Sequence, residues 1–98
     1  MSRNYQEVVI ETYRSSGEPS AHEIRARPLP GQGFPRDIKV ECSSKMRERY
    51  PVGTKFIVQA KLTDREGGMP FLYTSWQWSF RVVAKAEALR FIKEHFGK

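Results

Sequence analysis

The sequence predicts an α+β domain: a curled antiparallel sheet of about five strands, or a partly open small β-barrel, with a short internal helix and a C-terminal helix. Three observations carry that expectation. Apolar and polar residues alternate with a period of two in several separate segments. Clusters of Gly, Pro and Ser punctuate them. The period lengthens to that of a helix after Ala84. The expected order is β-β-β-α-β-β-α.

The first strand runs from Tyr5 to Tyr13, with Val8, Ile10 and Thr12 on one side and Glu7, Glu11 and Tyr13 on the other; Val9 lies between the two glutamates. Gly17 and Pro19 supply turn chemistry for a hairpin into a second strand near His22 to Ala26. The segment from Arg27 to Pro35 holds three prolines and two glycines, which rule out helix and central strand. Leu29 and Phe34 are expected to anchor it to the core. Its prolines do not have PxxP spacing, which argues against a polyproline ligand.

Asp37 to Cys42 alternates again, with Ile38, Val40 and Cys42 inward. Ser43 or Ser44 can cap a short helix that Pro51 ends. Thr54 to Thr63 is the clearest strand: Phe56, Val58, Ala60 and Leu62 face one way, Lys55, Gln59 and Lys61 the other. A loop through Gly67 and Gly68 returns the chain into Phe71 to Val83, which is longer than a typical strand and predicts a bend near Ser75. Leu72, Thr74, Trp76, Trp78, Phe80 and Val82 are expected to line the core; Phe71, Tyr73, Gln77 and Arg81 form the opposite face. Ala88, Leu89, Ile92 and Phe96 make one stripe of a closing helix, with Gly97 as its cap.

The chain of 98 residues reads as one domain, 1–98, without repeats or linkers. No stretch reaches the roughly 20 apolar residues of a membrane helix, and the first residues lack the apolar core of a signal peptide. A single cysteine, Cys42, suits a reducing compartment, so a cytoplasmic location is expected.

Seventeen basic residues against eleven acidic ones leave a formal charge of +6. Nine basic and three acidic residues fall between Arg25 and Lys61, so the whole excess sits in the middle of the chain. Such a field attracts polyanions and also keeps a small protein soluble. Phosphate contacts can come from Arg25, Arg27, Arg36, Lys39, Lys45, Arg47, Arg49, Lys55, Lys61 and Arg81, with Phe71 and Tyr73 as stacking surfaces for bases on the same outer sheet face. The expected function is a non-catalytic binding module for nucleic acid, single strands favoured, or alternatively for an acidic protein. The other class is a protein-interaction or structural domain, an oligomer or the subunit of a larger assembly.

Catalysis is poorly supported. His22 and His95 are far apart in sequence, and no metal-ligand spacing, nucleophile elbow or phosphate loop occurs. No cofactor is implied. Cys42 before a helix beside Lys45 and Arg47 is a candidate reactive thiol, but its strand phase places it with Ile38 and Val40 as a small core residue. Glu7 and Glu11, four residues apart along a strand and so roughly 13 Å, are too distant for a glycosidase pair.

Overall fold

A computed structural model of the chain describes residues 5–14, 24–63, 68–75 and 78–97. These form β1 (Tyr5–Arg14), β2 (Ile24–Pro28), β3 (Lys39–Glu41), α1 (Ser44–Arg49), β4 (Lys55–Thr63), β5 (Phe71–Tyr73), β6 (Phe80–Val83) and α2 (Lys85–Phe96). The expected hairpin turn at Gly17 and Pro19, together with His22, Gly67, Trp76 and Gln77, lies outside the described residues.

The spine is the antiparallel pair β1–β4, in register from Tyr5↔Lys61 to Glu11↔Lys55. The sheet order is β2-β1-β4-β5-β3, and β6 pairs with β4 beside β5. The sheet curls into a nearly closed barrel with an open seam: β2 and β3 approach within 8 Å between Cα atoms but exchange no ladder. The sheet is mixed rather than purely antiparallel, because β3 joins β5 in parallel.

Two apolar layers follow from the strand alternation. Inside the barrel, Val8 and Ile10 of β1 meet Phe56, Val58 and Ala60 of β4, with Leu72, Ile38 and Met46 completing the cluster. Phe34, Val40 and Cys42 pack against it, the last two as their strand phase predicts. Each large side chain buried there contributes about 1.5–3 kcal/mol. On the outer face, Val9, Ile57 and Val83 form a second cluster with Leu29 and with Ala88, Phe91 and Ile92 of α2. Val9 and Ile57 sit among glutamates, lysines and a glutamine on otherwise polar strand faces, and they are the seat of the helix. The helical stripe is rotated from the expected one: Phe91 is buried while Leu89 is half exposed. Gly97 caps α2 by donating its N–H to the Ile92 and Lys93 carbonyls.

The return segment is two strands rather than one. Tyr73 stands opposite Lys61 and Phe80 opposite Val58, so the chain carries six residues, 74–79, where β4 carries two. A turn closed by Trp78 N–H on the Ser75 carbonyl (3.0 Å) lies within this bulge. The bend expected near Ser75 is therefore present, but it removes Trp78 from the core face and leaves Phe80 and Val82 partly exposed.

Ser43 caps α1, its Oγ accepting from the Met46 N–H at 3.4 Å. This long bond predicts that Ser43→Ala costs about 0.5–1 kcal/mol, the low end for N-caps, in urea denaturation. The Pro-rich loop is anchored as expected through Leu29 and Phe34. Gly31, at φ 96°, lets it pass close to α2: a Cβ there would lie 3.2 Å from Ile92 Cγ2.

Candidate nucleic-acid interface

The twelve residues that the sequence nominates fall into five settings. The first is a row across the outer sheet face. Glu11 of β1 lies opposite Arg27 of β2 and Lys55 of β4. Its carboxylate takes Arg27 Nε at 2.9 Å, Lys55 Nζ at 3.5 Å and an Arg36 guanidinium nitrogen at 3.9 Å. The Arg27 guanidinium also lies over the Tyr13 ring, 4.5 Å from its centre. Glu11 is only 13% exposed, so these three cations serve first to neutralise it. That corrects the expectation that Lys55 stands beside Lys61 as an open phosphate contact. Arg81 is likewise engaged, 3.6 Å from Glu87 of α2.

The second setting is the seam. Arg25, Lys39 and Arg47 line a cleft of about 340 Å³ with Tyr13, Ala26 and Asp37. Lys39 reaches Glu41 at 3.9 Å. An Arg47 guanidinium nitrogen donates to the Ile24 carbonyl at 3.3 Å, which pins the edge of β2. Its Nε is buried without a hydrogen-bond partner.

The third setting lies at the far end of the outer face. Tyr5, Lys61 and Tyr73 are cross-strand neighbours on β1, β4 and β5. Trp78, folded back by the bulge, contacts both tyrosines: its ring is 5.1 Å from that of Tyr5, tilted, and 5.8 Å from that of Tyr73, edge to face. Tyr73 remains 38% exposed. Lys61 makes no ion pair among the described residues. Tyr5 and Trp78 were not among the nominated residues. Tyr5 shares strand phase with Glu7 and Glu11, so its place on this face was readable; the position of Trp78 depends on the bulge and was not.

Phe71 departs from expectation. It is 8% exposed, paired between Thr63 and Lys39, and it lines an apolar groove of about 640 Å³ with Phe34, Leu62, Met69 and Pro70. The parallel pairing of β3 with β5 places Lys39 beside it. Lys45 and Arg49 form the last setting, on α1 beside Tyr50 and Phe80, a different groove from the Tyr5–Lys61–Tyr73 row.

Lys39 and Lys61 lie two strands apart on one outer face, roughly 10–12 Å between Cα atoms. The seam cleft and the tyrosine–tryptophan cluster are thereby neighbours across β5 and β3, with Glu41 between them opposite Tyr73.

The candidates for catalysis do not converge. His95 Nδ1 lies 3.0 Å from the Phe91 carbonyl and its ring stacks on Phe91 at 3.9 Å, on the outer helix. Cys42 packs against the inner core. Burial raises the Cys42 thiol above its ordinary pKa, and the Arg47 guanidinium offsets only part of that rise. The folded state thus favours the protonated thiol. Its contribution to stability is complete below the pKa of the unfolded thiol and is lost as pH rises through the folded one. Cys42 is expected to alkylate with iodoacetamide at least about tenfold more slowly than free cysteine near pH 8. Cys42→Val should flatten the alkaline limb of the stability profile; equal alkylation rates would contradict the burial argument. Among the described residues, no group of three His, Cys, Asp or Glu is placed to hold a metal ion, and no helix is long and apolar enough to cross a membrane.

Comparison with protein-family models, with curated proteins and with solved structures gives no match.

Proposed function

We propose that the protein is a non-catalytic binding module for single-stranded nucleic acid, with bases stacking at Tyr5, Tyr73 and Trp78 and phosphates held by Lys61, Lys39 and the seam arginines Arg25 and Arg47. The observation that carries this reading is the partly exposed aromatic cluster around a lysine that has no ion pair among the described residues. Stacking tolerates any base, and each stacked base contributes about 1–3 kcal/mol. The convex outer face would present the cluster to an unpaired strand, whose bases can splay, rather than to the stacked interior of a duplex.

Anisotropy of labelled single-stranded DNA, single-stranded RNA and duplex DNA tests the reading. If four cations each neutralise one phosphate of a single strand, affinity falls about 50-fold between roughly 50 and 200 mM salt. Single strands should bind more tightly than duplex. No binding at low salt to any of the three would end this proposal.

A protein-interaction domain is the second reading. The apolar groove favours it, because Leu62 and Met69 on its rim are exposed beside Phe71. It requires no steep salt dependence.

A further inference from the structure

Strand β6 has one partner among the described residues. That partner is β4, through Phe80↔Val58 to Val83↔Lys55. Phe80, at one end of β6, lines a groove of about 520 Å³ with Ser43, Ser44, Lys45, Arg49 and Tyr50 on the α1 side. Tyr50 stands edge-on to Phe80 at 6.2 Å between ring centres, which sets the end of α1 beside the strand. Phe80 and Val82, alternate residues on one face, are 37% and 48% exposed. Lys45 and Arg49 project one turn apart on the opposite wall and form no ion pair among the described residues.

We infer that this groove takes an extended acidic segment of a partner protein, added to the sheet as a strand against β6. The chemistry of the walls selects that occupant. A strand edge offers N–H and C=O groups in alternation, and an extended peptide satisfies both, giving affinity through the main chain and specificity through alternate side chains. A phosphate backbone can use the N–H groups only and is repelled by the carbonyls. A second copy of this chain is disfavoured because each carries +6. In an acidic peptide, one set of alternate side chains can pack on Phe80, Val82 and Tyr50 while carboxylates meet Lys45 and Arg49. The site does not depend on the nucleic-acid reading, which uses other residues.

The test uses the whole chain, isotopically labelled, and two synthetic peptides of about eight residues, one alternating glutamate with valine and one alternating lysine with valine. Amide resonances and their hydrogen exchange are followed by NMR. The acidic peptide is expected to shift Phe80, Arg81, Val82 and Val83 and to slow exchange of the β6 amides that point away from β4. The lysine peptide should bind at least about tenfold more weakly. Replacing both Lys45→Glu and Arg49→Glu should weaken the acidic peptide about tenfold, the effect of two exposed ion pairs. N-methylation of alternate peptide amides should abolish binding with no alteration of the protein. Four results would overturn the inference: no shifts at about 1 mM acidic peptide, equal binding of the two peptides, shifts confined to other elements, or the same β6 shifts arising from self-association without peptide.

Discussion

Gln32→Leu is expected to cost the fold about 3 kcal/mol, although the substitution adds an apolar residue to a site that is already buried. The β1–β2 ladder runs from Arg14↔Ile24 to Ile10↔Pro28, and the chain then turns away. At that point the Gln32 amide takes the place of a strand. Its Oε1 accepts the Val9 N–H at 2.8 Å, and its Nε2 donates to the Val9 carbonyl at 2.8 Å and the Leu29 carbonyl at 3.0 Å. Leucine leaves the Val9 N–H and the Leu29 carbonyl without these partners in a buried setting, each at about 1–3 kcal/mol. The Val9 carbonyl keeps the Leu29 N–H. A urea midpoint lowered by at least about 1 M, with unchanged slope, is the expected result. Gln32→Glu separates hydrogen bonding from size. A carboxylate can accept from Val9 but cannot donate to either carbonyl, so this variant should gain stability as pH falls and the acid protonates. A midpoint equal to that of the parent protein for both variants would show that the amide contributes nothing.

The second large effect concerns binding. Lys61→Glu with Tyr73→Ala is expected to weaken single-stranded oligonucleotide binding about 100-fold, from one lost stacking surface and one reversed phosphate contact. Tyr73 is partly exposed and Lys61 carries no ion pair among the described residues, so thermal stability should stay within about 1 kcal/mol. The salt slope of the remaining binding should fall by roughly 0.7, the share of one single-strand phosphate. Lys55→Glu is a poor substitute for Lys61→Glu, because it sets a second carboxylate opposite Glu11 and lowers stability through like-charge repulsion. Unchanged affinity of the double variant would remove the outer face from the binding reading.

Much of the architecture is legible in the residues. β1 and β4 show in their alternation, α1 in the Ser43 cap and the Pro51 stop, and α2 in the change of period. The division of the return strand is not legible, for a physical reason. Its bulge inserts four residues more than β4 carries, two full strand periods, so the alternation from Leu72 to Val82 continues unbroken through the interruption. Trp78 then moves to the outer face without any change of pattern. The candidate site was half legible for a related reason. Cross-strand register, which assigns Lys55 to Glu11 and Lys61 to the tyrosines, depends on which strands meet, and one strand's pattern does not contain that. Val9 and Ile57 were the readable clue to helix docking: each is an apolar residue in a polar row.

The β1–β4 spine also sets a timetable for synthesis. β2 can pair with β1 soon after both emerge, but that ladder reaches only from Arg14 back to Ile10. The Val8 edge meets its neighbour only when residue 58 has been made, whereas the Val9 N–H and carbonyl already meet Gln32 and Leu29. At translation rates of roughly 5–20 residues per second, the β4-facing edge of β1 waits about 2–10 s for its complement. During that interval its unpaired edge is open to other chains, and the growing polypeptide depends on whatever shelters it at the ribosome until the middle of the sequence arrives.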